Sequence, residues 1–287
     1  MLNTPELNEV INLTWQHGEQ MNDHLRANEE VMRLIQESPQ SRWERPALHR
    51  ATGNKQIYDP LFPTYNANRI SGSNYIAAEG PNDIGLDGQP ICGCMARFLE
   101  NTVFNETYPV QLILAIGQSG NATIRGDFTH YFAAGSHVFP VAERPLSYRV
   151  ESNLINNRLN AYALRVEHPN GNRKNIQVLW LPVRDLQPIP NHTQALAILA
   201  YIYRRACYEP VLIHCAAGVG RTGVVVFIFK ILDHYEAIFA KNDAKNIAGQ
   251  LRDLLTTIRQ TRPAFITTKK QLESAVQCAI DIYHLKD

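Results

Sequence analysis

The chain has 287 residues, with 28 Lys and Arg against 27 Asp and Glu for a formal net charge of +1. That balance leaves no basic footprint for nucleic acid or a membrane surface. With 45% hydrophobic and 19% charged residues it has the make-up of an ordinary folded protein rather than a disordered one. Five cysteines, Cys92, Cys94, Cys207, Cys215 and Cys278, are odd in number and irregular in spacing, which points to a reducing, cytoplasmic setting rather than a disulfide framework. Cys92-Gly-Cys94 has no second Cys or His cluster at ligand spacing, so no metal and no cofactor is expected. The N-terminus lacks the basic start and apolar run of a cleaved signal, and no segment approaches the roughly 18 apolar residues of a membrane span. Any export would use a non-classical route.

From Pro5 to Gln36 the apolar positions recur at helical spacing, most clearly over His24–Ile35, which predicts a pair of N-terminal helices packed on the main body. A polar connection, Ser41–Pro46, follows, and then an irregular stretch rich in Pro, Asn and Gly to about Gly88. Pro90–Glu106 reads as a helix. Val110–Ile116, Tyr148–Glu151, Asn160–Glu167 and Asn175–Trp180 read as strands. Helices are predicted at Thr193–Cys207, Gly223–Phe239, Asn246–Arg259 and Lys269–His284, each with an apolar stripe or an apolar run. Strands precede the later helices without repeat, low-complexity segment or linker. The expected fold is therefore α/β, a central mixed, twisted sheet flanked by helices, with residues 1–45 as a helical extension and 46–287 as the catalytic domain.

The stretch Val211–Val226 concentrates the chemistry. Val211-Leu-Ile213 reads as a buried strand, a glycine-bearing turn follows, and a second apolar run reads as a buried helix. From Cys215 to Arg221 the backbone must curl around a small volume, and Gly218 and Gly220 permit the φ values such a curl needs. The N–H groups of Ala216, Ala217, Gly218, Val219 and Gly220 would then form an anion nest. The helix start adds roughly half a positive charge at the same point. A thiol at a helix N-terminus beside a cation ionises readily, which would make Cys215 a nucleophile toward a tetrahedral phosphate ester. Arg221 supplies the planar fork for two phosphate oxygens. Thr222 can donate its hydroxyl to the departing sulfur, and His214 can orient the thiolate through backbone contacts.

The string His214-Cys-Ala-Ala-Gly-Val-Gly-Arg-Thr-Gly223 resembles the His-Cys-x5-Arg-Ser/Thr signature of the cysteine-dependent protein tyrosine phosphatases. That resemblance implies hydrolysis of phosphotyrosine proteins through a cysteinyl-phosphate, with a carboxylic acid protonating the leaving phenol. Asp185, in Leu179-Trp-Leu-Pro-Val-Arg-Asp-Leu-Gln-Pro-Ile-Pro190, is the only acidic residue between Glu167 and Glu209, and its proline-bordered loop suits a hinged lid. It resembles the family's Trp-Pro-Asp loop but departs from it, because Leu181 separates Trp180 from Pro182 and two residues separate Pro182 from Asp185. Tyr58, Tyr65–Ile70 and Asn74–Pro81 resemble the family's substrate-tyrosine loop and the segments after it, with Glu79 where Gln is usual. Tyr58 would then wall the slot for the substrate ring. Arg125 falls near the place of a basic loop residue. Arg262–Gln271 resembles the family's glutamine segment that positions water, with Thr267 at the first glutamine's place and Gln271 at the second's. The fifty residues before the resemblance, the abbreviated domain and the altered glutamine segment look similar to bacterial tyrosine phosphatases injected into host cells. Two other readings remain open. An inositol-polyphosphate, phosphoinositide or dual-specificity phosphatase fits the spacing around Asp185, although Ala216, Ala217, Val219 and Gly220 supply no lysine for extra phosphates. A phosphotyrosine-binding pseudophosphatase would be expected to lack the nucleophile, acid or arginine that are all present.

Overall fold

The computed structural model describes residues 4–19, 59, 61–62, 65, 67–81, 94–120, 127–141, 147–184, 186–240, 243–262 and 265–285. Tyr58, Arg125, Asp185 and the helix expected at His24–Ile35 lie outside the described residues. The elements in chain order are helix α1 (Thr4–Glu19), strands β1 (Ala67–Arg69) and β2 (Tyr75–Glu79), helix α2 (Cys94–Thr102), strands β3 (Leu112–Ile116), β4 (Ser119–Gly120), β5 (Phe128–Thr129), β6 (Gly135–Pro140), β7 (Ser147–Asn156), β8 (Ala161–Glu167) and β9 (Arg173–Leu181), helix α3 (Thr193–Ala206), strand β10 (Val211–Cys215), and helices α4 (Gly220–Asp233), α5 (Tyr235–Phe239), α6 (Ala244–Thr261) and α7 (Lys269–His284).

Eight strands form one mixed sheet in the order β1-β2-β10-β3-β9-β8-β7-β6, and β4 pairs with β5 alone. The centre is parallel: β10 lies between β2 and β3, and β3 pairs with β9. The flanks are antiparallel hairpins. Strands covered on both faces read as unbroken apolar runs, which is why Leu112–Ile116 and Val211–Ile213 stand out in the sequence. One face packs on α1, α3, α4, α6 and α7 through residues such as Ile213, Cys215, Val225, Leu251 and Val276. The other face is covered by α2 and the aromatic cluster Phe128, Tyr131 and Phe132. Because side chains alternate along β10, Cys215 belongs to the helix-covered side, while His214 meets the rings of Phe98 and Phe128 on the other.

The helix expected continuously over Gly223–Phe239 is two. It starts at Gly220, and at His234 the backbone leaves helical geometry (φ −121°, ψ 16°) before α5 resumes at Tyr235. α4 is buried from Arg221 to Leu232, so it runs through the middle of the molecule with the cradle at its N-terminus. The side chains of His192, Asp243 and Thr268 cap α3, α6 and α7 by accepting from backbone N–H groups. α1 lays Val10, Ile11 and Thr14 inward and packs against α6 and α7. Strands β1, β2 and β6 were not expected from the sequence. No helix among the described residues is long and apolar enough to cross a membrane.

Candidate active site

Cys215 ends β10 and Gly220 begins α4, so four residues turn the chain around the cradle. Gly218 is the hinge of that turn. It has φ +68°, and a Cβ built on it would lie 2.1 Å from the Ala78 carbonyl oxygen, so both conformation and space demand glycine. Gly220, expected to need similar freedom, has no positive φ and is simply the first helical residue. Neighbouring β2 fixes the turn from the side. Cys215 pairs in register with Glu79, and the Gly80 N–H donates to the Ala216 carbonyl at 3.1 Å. Glu79 itself is buried beside the cradle.

A second arginine holds the outside of the turn. Arg262, at the C-terminus of α6 and 2% exposed, donates from Nε to the Gly218 carbonyl at 2.6 Å, from Nη2 to the Ala217 carbonyl at 3.1 Å and from Nη1 to Asn68 Oδ1 at 2.6 Å. Those contacts fix the Gly218 and Ala217 carbonyls on the Arg262 side of the turn; an anion nest would need the N–H groups on the opposite side. Burial pulls the Arg262 guanidinium down to about 10, with the charges of Glu79, Cys215 and Tyr65 acting in the opposite direction, so it remains cationic at neutral pH.

Arg221 is 1% exposed and is held from the far side. Its Nη1 donates to Asp127 Oδ2 at 2.5 Å and to the Val183 carbonyl at 2.9 Å. Asp127 was not singled out in the sequence. It immediately precedes β5, its Oδ2 also accepts from the Gln118 N–H at 2.8 Å, and it couples the arginine to the turn after β3. That turn can exist only around glycine: Gly117 has φ +142°, and a Cβ there would lie 2.6 Å from Asp127 Oδ2 and 2.7 Å from Arg221 Nη1. Gly117 is also the anchor of the loop that leads to Asp185. Its N–H donates to the Leu181 carbonyl at 3.0 Å, and its carbonyl accepts from Trp180 Nε1 at 2.8 Å. The root of the expected lid, the arginine and its carboxylate are thus tied at one point. A buried ion pair of this kind orients more than it stabilises, since desolvation offsets most of the Coulomb gain.

His214 faces away from the cradle. Nδ1 lies 3.4 Å from the Cys215 carbonyl and Nε2 lies 2.8 Å from the Tyr131 hydroxyl. A carbonyl can only accept, so Nδ1 carries the proton and Nε2 accepts from the tyrosine. Burial, assisted by Arg221, pushes the imidazole from 6.5 down to about 3, so it is neutral throughout the physiological range. The unfolded chain binds that proton near pH 6.5 and the folded chain only near pH 3, so stability falls as pH drops through that window, by at most about 1.4 kcal/mol per pH unit from this group. Denaturant melts between pH 7 and pH 5 should show this slope, and His214→Gln should flatten it; an unchanged slope would mean that the imidazole is already charged in the fold.

Thr222 follows Arg221 in α4, and its Oγ1 is buried with no hydrogen-bond partner among the described residues, so the hydroxyl can turn toward the sulfur. Gln271 is buried at the start of α7, and Thr267 donates to its Oε1 from both N and Oγ1, each at 2.9 Å. The structure therefore brings Cys215, Arg221, Thr222, His214, residues 216–220, Thr267 and Gln271 to one end of the sheet. Among the described residues no group of three or more His, Cys, Asp or Glu could hold a metal ion.

The family model described as protein-tyrosine phosphatase matches residues 62–281. The chain is 30% identical over 99 residues to the receptor-type tyrosine-protein phosphatase eta of Mus musculus, covering 33% of this chain and 7% of that protein. It is 28% identical over 82 residues to tyrosine-protein phosphatase non-receptor type 20 of Mus musculus, covering 29% of this chain and 17% of that protein. The matched stretches thus span less than a fifth of these relatives' own lengths. Among solved structures, the Trypanosoma brucei protein tyrosine phosphatase TbPTP1 superposes with a TM-score of 0.60 at 17% identity, covering 79% of this chain and 78% of that one. PTPN18 in complex with HER2-pY1248 phosphopeptides superposes with a TM-score of 0.54 at 19% identity, covering 77% of this chain and 76% of that one.

Proposed function

Since this chain belongs to the protein-tyrosine phosphatase family, we propose that it hydrolyses phosphotyrosine in protein substrates through a cysteinyl-phosphate on Cys215. The observation that carries this reading is the cradle itself: a cysteine at the end of β10, a four-residue turn held from outside by a second arginine, and a buried arginine at the start of α4 held by Asp127. The phosphopeptide bound in the PTPN18 structure supports the choice of substrate class.

In the first half-reaction the sulfur attacks phosphorus while the nest N–H groups and the Arg221 guanidinium take up the charge on the equatorial oxygens. Asp127 and the Val183 carbonyl hold Nη1 of that guanidinium, so its plane is set before substrate arrives. Asp185 protonates the departing phenol and then serves as base toward water in the second half-reaction. Thr222 donates to the sulfur as it becomes the leaving group.

Asp185→Ala is expected to lower kcat on phosphotyrosine peptides by about a hundredfold or more, the scale of general acid catalysis. Activated aryl phosphates, whose phenolates leave unaided, should lose far less. Equal losses on both would remove Asp185 from the acid role. The substrate class is tested by comparing a phosphotyrosine peptide, a phosphoserine peptide and inositol hexakisphosphate. Preference for the first by kcat/KM is expected, and preference for the last would transfer the reading to polyphosphate chemistry.

A further inference from the structure

Strand β2 ends on a buried charge. Tyr75-Ile-Ala-Ala-Glu79 is buried at all five positions, and the last of them sets a carboxylate, 7% exposed, inside the molecule. A buried carboxylate needs a matched partner, and the geometry supplies Arg262. Side chains alternate along a strand, so Glu79 shares the face of Ala77, the helix-covered face that also takes Cys215. Glu79 and Cys215 are direct partners across β2 and β10, and neighbouring strands lie about 4.8 Å apart. The Glu79 backbone is fixed from two sides: the Tyr65 hydroxyl donates to its carbonyl at 2.9 Å, and a Cβ built on Gly218 would lie 2.7 Å from its nitrogen. The charges of Glu79 and Cys215 both act on the Arg262 guanidinium and favour its charged form. One cation therefore serves two acidic groups that sit side by side.

The other arginine of the site is matched in the same way, since Arg221, 1% exposed, has Asp127 on Nη1. Two guanidinium and two carboxylate groups cancel in charge, so together they orient a phosphoryl group without adding net positive charge around it. We propose that Glu79 is a positioning residue that balances Arg262 and thereby weakens the cradle's hold on the Cys215 thiolate and on product phosphate, an inference that rests on the phosphatase reading above. Around Glu79 stand Arg262 at the C-cap of α6, Cys215 on β10 and Tyr65 before β1, while His214, on the opposite face of the sheet, is neutral. The Arg262 bonds to the Gly218 and Ala217 carbonyls form with or without the carboxylate, so the shape of the turn and the field at the sulfur are separate properties. The carboxylate opposes negative charge on the sulfur and on a bound phosphate alike, and at a buried site salt screens this little. A cradle with Arg262 unbalanced would bind inorganic phosphate more tightly and release it more slowly. Glu79 thus lowers anion affinity in favour of product release.

Glu79→Gln keeps the shape and removes the charge. Two readouts follow: the pH profile of inactivation by iodoacetamide, a neutral reagent, and the inhibition constant of inorganic phosphate against an aryl phosphate substrate. The midpoint of the inactivation profile should move down by about one pH unit, and the inhibition constant should fall about tenfold. Glu79→Asp, which keeps the charge, should stay within about threefold of the parent in the inhibition constant. A purely structural role for Glu79 would weaken phosphate binding on substitution rather than tighten it. Glu79→Met, also neutral and of similar length, decides the matter if Glu79→Gln does not fold. An inactivation profile that stays in place or moves up, or an inhibition constant that does not fall, would overturn the inference and leave the phosphatase reading intact. A parent protein that hydrolyses no aryl phosphate, and that phosphate does not protect from iodoacetamide, would overturn the phosphatase reading and this inference with it.

Discussion

Cys215→Ser is expected to abolish turnover of phosphotyrosine peptides, with a loss of about a millionfold, the scale found when a hydrolase loses its covalent nucleophile. The prediction follows from where the sulfur sits. Cys215 is 2% exposed and backed by the helix-covered core, with the turn of residues 216–219 and the N-terminus of α4 following it directly in the chain. Serine changes one atom and leaves the nest, Arg221 and Arg262 intact. Phosphopeptide binding should therefore persist, and calorimetric titration should give a Kd near the parent's KM. Loss of binding along with turnover would mean that the substitution disturbs the cradle rather than the chemistry.

Arg221→Lys is expected to lower kcat by about a hundred- to a thousandfold, as loss of an oxyanion donor does elsewhere. A lysine keeps the charge but not the fork. In this site the loss has two parts, because the guanidinium uses Nη1 to join Asp127 to the Val183 carbonyl. Lysine cannot hold both and also serve the phosphoryl oxygens. Asp127→Asn separates the parts: it retains size and removes the charge that orients Arg221, so kcat should fall by about tenfold, less than for Arg221→Lys. Steady-state kinetics on one phosphotyrosine peptide decides this. An Asp127→Asn enzyme with parental kcat would show that Arg221 is oriented by the nest alone.

The chemistry readable in the sequence was what lay contiguous in it. His214 to Gly223 carries nucleophile, turn and cation within ten residues, and the structure gathers them because a strand, a turn and a helix follow one another without interruption. The helices α3, α6 and α7 and the strands β3, β8 and β9 were legible for a related reason, since each carries its own period. What escaped depends on distant partners. Asp127 meets Arg221 across 94 positions and Tyr131 meets His214 across 83, and no local pattern encodes either contact. The one available signal was an acidic residue, Asp127, leading directly into the aromatic run Phe128–Phe132. β2 was missed although it borders the catalytic strand, because Tyr75-Ile-Ala-Ala-Glu79 is short and alanine carries little strand preference. β6 is an edge strand exposed along most of its length, with no buried alternation to reveal it. β7 runs to Asn156, beyond the expected Glu151, because its polar end is held by β8 across a hairpin rather than by burial.

The continuous helix expected over Gly223–Phe239 failed at His234 because apolar residues continue on both sides of the break, so composition alone gives no stop signal. Gly220 shows a different limit. A glycine in a turn suggests unusual φ, yet here it is an ordinary helix start whose missing side chain leaves room facing Thr267 and Gln271.

The most direct measurement is to mix the protein with a phosphotyrosine peptide, quench in acid within the first turnover, and locate the phosphoryl group by mass spectrometry. The account predicts a phosphoryl group on the fragment that contains Cys215, appearing with release of the dephosphorylated substrate peptide and absent in Cys215→Ser. Turnover that proceeds while Cys215 stays unmodified, or a phosphoryl group found on a histidine instead, would contradict it.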